Sequence, residues 1–77
     1  MSQTLDERVL DVLRTAADVD RSAEPGYRFG GLRGTSYVVA AVGESDPYAV
    51  QVALRRLRDA GQVEARIMAG AWAWRAT

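Results

Sequence analysis

The sequence predicts a small α+β domain in which three helices are followed by a C-terminal β-hairpin. Three observations support this. An amphipathic segment near the N-terminus begins with a helix-capping pattern, a second one over residues 46–61 ends at a glycine, and the last residues alternate between apolar and polar. The chain has 77 residues, the length of one domain with a thin core. We therefore expect a single domain over residues 1–77.

The composition removes several classes of function. There is no cysteine and no histidine, so the chain lacks disulfides, thiolate metal sites and imidazole bases. We expect no metal, no cofactor and no enzyme activity. All ten basic residues are arginine, which fits the coding bias of a GC-rich bacterial or phage genome. The N-terminus lacks a basic region followed by an apolar run, and no stretch is long enough to span a membrane, so we expect a cytoplasmic protein.

The formal net charge is zero, but the charges are unevenly distributed. Residues 1–24 carry three more acidic than basic side chains, and residues 25–77 carry three more basic than acidic ones. An acidic front and a basic remainder suit a molecule that binds a polyanion on one face. A difference this small also arises by chance.

The first helix is predicted over residues 5–19. Thr4 and Glu7 form a capping box, and apolar residues then recur at helical spacing from Leu5 to Ala16. Residues 20–34 break this periodicity with the turn signals Pro-Gly and Gly-Gly. A short strand over residues 27–29 is possible between these two turns.

Residues 35–43 are ambiguous. Their β-branched side chains favour a strand, whereas their flanking residues favour a helix, with Thr35 or Ser36 as N-cap and Gly43 as C-cap. We interpret the segment as a second helix because a capped helical pattern comes directly after it. This third helix is predicted over residues 47–60, with Asp46 as N-cap and an apolar stripe that consists of Val50, Ala53, Leu54 and Leu57.

The distribution of side chains over the C-terminal residues supports the predicted hairpin. If Ala69 and Gly70 form the tip, one face of the hairpin carries the pairs Ile67–Trp72, Ala65–Trp74 and Val63–Ala76. The other face carries Met68–Ala71, Arg66–Ala73 and Glu64–Arg75. One register thus separates an apolar face from a mostly polar one. Both tryptophans are expected in the core. Because alanine is poor at positive φ, a loop longer than Ala69 and Gly70 alone is an open alternative.

This order of elements resembles the winged helix-turn-helix domain. Val50, Leu54, Leu57, Gly61 and Val63 reproduce the V-x3-L-x2-L-x3-G-x-V spacing of the recognition helix and first wing strand in GntR-type bacterial regulators. Gly43 takes the place of the glycine between helices 2 and 3. The sequence departs from the family in the turn "GESDP", which is one residue longer, and in an uncharged wing tip.

The resemblance implies that the third helix, residues 47–60, enters the major groove of double-stranded DNA. With Val50 at the centre of the buried stripe, the outward-facing candidates for base contact are Tyr48, Gln51, Val52 and Arg55. Candidates for contact with the phosphate backbone are Arg56, Arg58, Arg33, Arg66 and Arg75.

We therefore expect a DNA-binding transcriptional regulator, such as a repressor, or an accessory nucleoprotein factor. With few basic contacts available to one copy, a homodimer on a palindromic site is expected. The alternative is a winged-helix adaptor that binds a protein partner, which the sparse positive charge of the helix front and wing tip favours.

Overall fold

The computed structural model describes residues 3–23 and 30–77. In chain order the elements are α1 (Leu5–Ala23), β1 (Arg33–Gly34), α2 (Thr35–Val42), α3 (Pro47–Asp59), β2 (Val63–Met68) and β3 (Ala71–Ala76). The strands form one antiparallel sheet in the order β1-β3-β2. This confirms the predicted α+β class, and the layout is consistent with that of a winged helix.

Helix α1 begins where the capping box predicts but ends later than expected. The Glu7 amide donates to the Thr4 hydroxyl at 3.2 Å, and the Thr4 amide donates to the Glu7 carboxylate at the same distance. The helix continues past residue 19 because Asp20 in its last turn accepts hydrogen bonds from the Gly31 amide (2.6 Å) and from Arg33 (2.8 and 2.9 Å). The possible strand at residues 27–29 lies outside the described residues.

The second helix is confirmed, with a different N-cap. Gly43 ends it in the left-handed conformation (φ 69°), as predicted. The N-cap is Gly34 rather than Thr35 or Ser36, so this part of the prediction was wrong. The physical reason is that the Thr35 hydroxyl accepts a hydrogen bond from Nε1 of Trp74 at 2.8 Å, which points it toward the sheet.

Helix α3 is capped at both ends as predicted, although it stops at Asp59 rather than residue 60. Asp46 accepts the Tyr48 amide at 3.0 Å. At the other end Gly61 adopts φ 75°, and the amides of Gly61 and Gln62 donate to the carbonyls of Arg58 and Leu57, both at 2.9 Å. This is a Schellman motif, and it turns the chain directly into β2. All members of the predicted stripe are buried, namely Val50, Ala53, Leu54 and Leu57.

The β2–β3 hairpin, hereafter the wing, has the predicted register at all six pairs, from Val63–Ala76 to Met68–Ala71. The turn contains the two residues of the supposed tip, Ala69 and Gly70, and is not the longer loop that the poor fit of alanine left open. Their φ values are 52° and 80°, and positive φ at both positions is the signature of a type I′ turn. That turn matches the twist of the flanking strands, so the pairing outweighs the poor fit of alanine.

The core lies between the three helices and one face of the sheet, where Trp74 and Val63 are buried. The buried part of the wing's apolar face does not extend to the tip of the hairpin. Near the tip, Ile67 is 66% and Trp72 50% exposed. The expected core position is therefore confirmed for Trp74 and wrong for Trp72. Trp72 stands one residue beyond Ala73, the last residue of β3 that pairs with β1, so it lies where the wing projects past the rest of the sheet.

Ala69→Asn is expected to stabilise the domain by about 0.5–1 kcal/mol, because asparagine tolerates positive φ and Asn-Gly is the preferred type I′ sequence. Urea unfolding followed by circular dichroism measures the change. Ala71→Asn is the matched control, since residue 71 is exposed and extended in β3, where asparagine is disfavoured. Equal effects of the two substitutions would contradict positive φ at residue 69.

The Asp20–Arg33 pair predicts a specific loss of stability in acid. The hydrogen bonds from Arg33 and from the Gly31 amide hold the pKa of Asp20 well below its ordinary value of 3.8. A carboxyl whose pKa is lowered by folding stabilises the protein above that ordinary value, and the contribution is lost as the pH falls through the lowered pKa. Asp20→Asn should therefore be less stable than the wild type at pH 6, and the gap should narrow below pH about 4.

Thermal unfolding of both proteins between pH 2 and 7 measures this gap. Asp18→Asn is the control. Asp18 lies on the same helix, and its ion pair with Arg21, at 3.5 Å, is exposed to solvent and therefore contributes little to stability. A gap between Asp20→Asn and the wild type that stays constant down to pH 2 would contradict the assignment.

Candidate nucleic-acid interface

The outer face of α3 presents polar and aromatic side chains to solvent. Burial of the apolar stripe fixes the rotation of the helix, and the residues on the opposite side then face outward. Tyr48 is 67% exposed, and Arg55 is also exposed. Gln51 and Val52 are half-buried. The domain's own fold thus leaves the front of this face open.

A groove lies between this face and the wing. Its volume is about 410 Å³. We call it the helix–wing groove, and the residues that line it are Thr35, Gln51, Arg55, Arg58, Trp72 and Trp74. Arg55 belongs both to the groove and to the outer face, so the two surfaces are continuous.

The two tryptophans play different parts in the groove. Trp74 is buried and is fixed by its hydrogen bond to the Thr35 hydroxyl. Trp72 stacks against it, with ring centroids 6.1 Å apart and an interplanar angle of 28°. Trp74 is therefore held in place, while the neighbouring Trp72 keeps half of its surface exposed.

Arg56 is held by the acidic end of α1. Its Nε and Nη2 atoms donate to the two carboxylate oxygens of Asp6 at 3.0 and 2.7 Å. These hydrogen bonds lower the pKa of Asp6 and raise that of Arg56. The pair joins the first turn of α1 to the last turns of α3, so this predicted backbone contact is already occupied by a carboxylate.

Arg33 is also engaged within the fold. It forms a two-pronged pair with Asp20, and its guanidinium lies 5.3 Å from the ring centre of Tyr37. The hydrogen bond with Asp20 raises the pKa of Arg33. Arg33 lines a second depression between α1 and α2, which shares no residue with the helix–wing groove.

The two wing arginines differ in how firmly they are held. Arg75 pairs with Glu64 directly across the strands, as the register predicts, and its side chain is mostly covered. Arg66 is exposed, and its guanidinium lies 3.8 Å from the same carboxylate. Of the two, only Arg66 has a guanidinium that is largely open to solvent.

Arg55 and Arg58 supply the positive charge of the groove. Among the described residues, no hydrogen bond or ion pair involves Arg55. Arg58 lies 3.8 Å from the neighbouring Asp59 carboxylate, and both side chains are exposed, so that pair is weak. The groove therefore combines two accessible guanidinium groups, one amide and one exposed indole.

Guanidinium groups can bind anions, and an exposed indole can stack on a flat aromatic ring. Within residues 3–23 and 30–77, no three acidic side chains come close enough together to hold a metal ion. In the same part of the chain, no helix has both the length and the apolarity needed to cross a membrane.

Sequence reasoning missed three participants: Trp72, Thr35 and Asp6. A signal existed for Trp72, since the predicted register put it next to the turn and therefore far from the helices. Nothing in the sequence indicated that Asp6 would bind Arg56, because the two lie 50 residues apart. The Thr35 hydroxyl was assigned to a helix cap instead of to Trp74.

Comparison with known proteins adds no relative. No protein-family model, curated protein or solved structure matches this chain.

Proposed function

We propose that the domain binds double-stranded DNA sequence-specifically, with α3 in the major groove, as a small transcriptional regulator or accessory nucleoprotein factor in a bacterial or phage cytoplasm. One observation carries the proposal: α3 buries its Val50–Leu54 stripe and leaves Tyr48 and Arg55 open to solvent. In helix-turn-helix proteins, side chains near the front of this face reach the base edges. The protein would act by occupying a site, without chemistry.

The outward-facing side chains of α3 match the chemistry of base edges. The Gln51 amide can pair in a two-pronged manner with adenine, and the Arg55 guanidinium with guanine. The Tyr48 hydroxyl can donate to a phosphate while its ring contacts a thymine methyl group. Val52 offers an apolar surface beside them.

Contacts to the phosphate backbone would come mainly from Arg58 and Arg66, whose side chains are exposed. Because Arg33, Arg56 and Arg75 have close carboxylate partners, they would contribute only by exchanging those partners for phosphate. One copy thus offers few free cations, and its binding should be weak and sensitive to salt.

Two copies on a palindrome would remedy this weakness, with one α3 per half-site at a spacing of about 34–36 Å. We therefore include a homodimer in the proposal. Val19 on α1 and Tyr37 on α2 are exposed apolar side chains outside the helix–wing groove. Self-association through them would leave the groove open. Sedimentation equilibrium with and without DNA tests the stoichiometry.

A second candidate function has an observation of its own. The wing exposes the apolar side chains Ile67, Met68 and Trp72, which would suit an adaptor that binds another protein. A salt series on generic duplex separates the two candidates. Affinity that falls steeply with salt supports DNA, and no binding even at low salt supports the adaptor.

Selection of bound sequences from a random duplex pool tests the main proposal. The most informative variant in this experiment is Arg55→Ala. Arg55→Ala is expected to cost about 1–3 kcal/mol of binding at one base position and to relax specificity there. The reason is the loss of a two-pronged contact to guanine.

Arg14→Ala is the matched control, since Arg14 is exposed on α1 and belongs to neither the outer face of α3 nor the groove. It removes the same charge and should leave the selected motif unchanged. If Arg55→Ala weakened binding equally for every sequence, Arg55 would contact phosphate only.

Asp6→Asn is expected to strengthen duplex binding. The substitution removes the carboxylate that holds Arg56 and so frees its guanidinium for a phosphate. The plot of log affinity against log salt should become steeper by about one unit. Asp11→Asn makes the same change of charge at an exposed position of α1 without touching Arg56. Identical salt slopes for the two variants would argue against a phosphate contact by Arg56.

A further inference from the structure

The wing exposes an indole that the fold does not need for its core. Trp74 fills the space between the sheet and the helices, whereas Trp72 remains 50% exposed. An exposed indole offers a large flat apolar surface, and its burial by a ligand is strongly favourable. Trp72 lies in the helix–wing groove together with Arg58.

The dimensions and chemistry of the groove fit a nucleotide. Its volume of about 410 Å³ lies within the range typical of sites for small organic ligands. Trp72 offers a flat surface for stacking, and Arg58 offers a guanidinium for a phosphate. The indole N–H of Trp74 is already bonded to Thr35 and does not need a ligand partner.

An intact duplex cannot supply that ligand. Each base inside a duplex is stacked on both faces, so Trp72 can stack only on a base that has left the helix or lies at a single-stranded end. Arg55 lies at the border between the groove and the outer face of α3. A base in the groove would therefore adjoin the duplex that α3 contacts.

Resting on the proposed DNA binding, we infer that the helix–wing groove holds one unpaired nucleotide, with its base stacked on Trp72 and its phosphate bound by Arg58. The domain then recognises a junction between duplex and single strand, or an extrahelical base. The duplex provides the contacts to α3, and the unpaired nucleotide provides a separate contact to the wing.

The test compares three oligonucleotides: a blunt duplex, the same duplex with a four-nucleotide thymidine extension at its 3′ ends, and the same duplex with that extension at its 5′ ends. Fluorescence anisotropy measures each affinity. Wild type should bind one extended duplex about 5- to 100-fold more tightly than the blunt one. The same duplex should quench the intrinsic fluorescence, since Trp72 is the exposed one of the two tryptophans.

Trp72→Ala should abolish this preference while leaving the affinity for the blunt duplex unchanged. Because Trp72 stacks on Trp74, the variant's fold is checked by circular dichroism. Trp72→Phe keeps a stacking ring and should retain most of the preference while losing the fluorescence quenching, so the test stands even if Trp72→Ala unfolds. Ile67→Ala is the matched control, since Ile67 is exposed opposite Trp72 but does not line the groove.

The outcomes separate this inference from the proposed function. Equal binding of blunt and extended duplexes overturns the unpaired-nucleotide site and leaves duplex recognition intact. A preference that persists in Trp72→Ala also overturns it. Failure to bind any of the three oligonucleotides at low salt overturns both.

Discussion

Burial of one stripe of α3 is the constraint on which the rest of the structure depends. Val50 and Leu54 are fully buried between the other helices and the sheet, and this fixes the rotation of α3 about its axis. Since side chains follow one another by about one hundred degrees around a helix, Tyr48 and Arg55 must then face outward. The candidate interface is thus a consequence of core packing and needs no additional interaction to orient it.

The position of the wing is set by the end of the same helix. Gly61 closes α3 with a Schellman motif and leads directly into β2, so the hairpin returns beside the last turns of α3. The hydrogen bond from Trp74 to Thr35 then ties the middle of β3 to the start of α2. These two connections bring Trp72 and Arg58 into the lining of one groove, although 14 positions separate them in the chain.

The accuracy of the sequence predictions depends on the range of the interactions. Features set by neighbouring residues were predicted correctly, such as the Asp46 cap, the Gly61 stop and the register of the wing. The failures involve contacts between distant parts of the chain. The last turn of α1 depends on the contacts of Asp20 with Gly31 and Arg33, and the exposure of Trp72 depends on how far the wing projects past the rest of the sheet.

The chain has no net charge, yet the helix–wing groove is positive in character. The reason is that the closest ion pairs of the acidic side chains are with arginines outside the pair Arg55 and Arg58. Asp6, Asp20 and Glu64 each contact an arginine that supports the fold. Each such pair adds nothing to the net charge and little to the field at a distance. Arg55 and Arg58, the two arginines of the groove, lack a close carboxylate partner of that kind among the described residues. Net charge is therefore a poor guide to what this surface attracts, and the distribution of ion pairs is the relevant quantity.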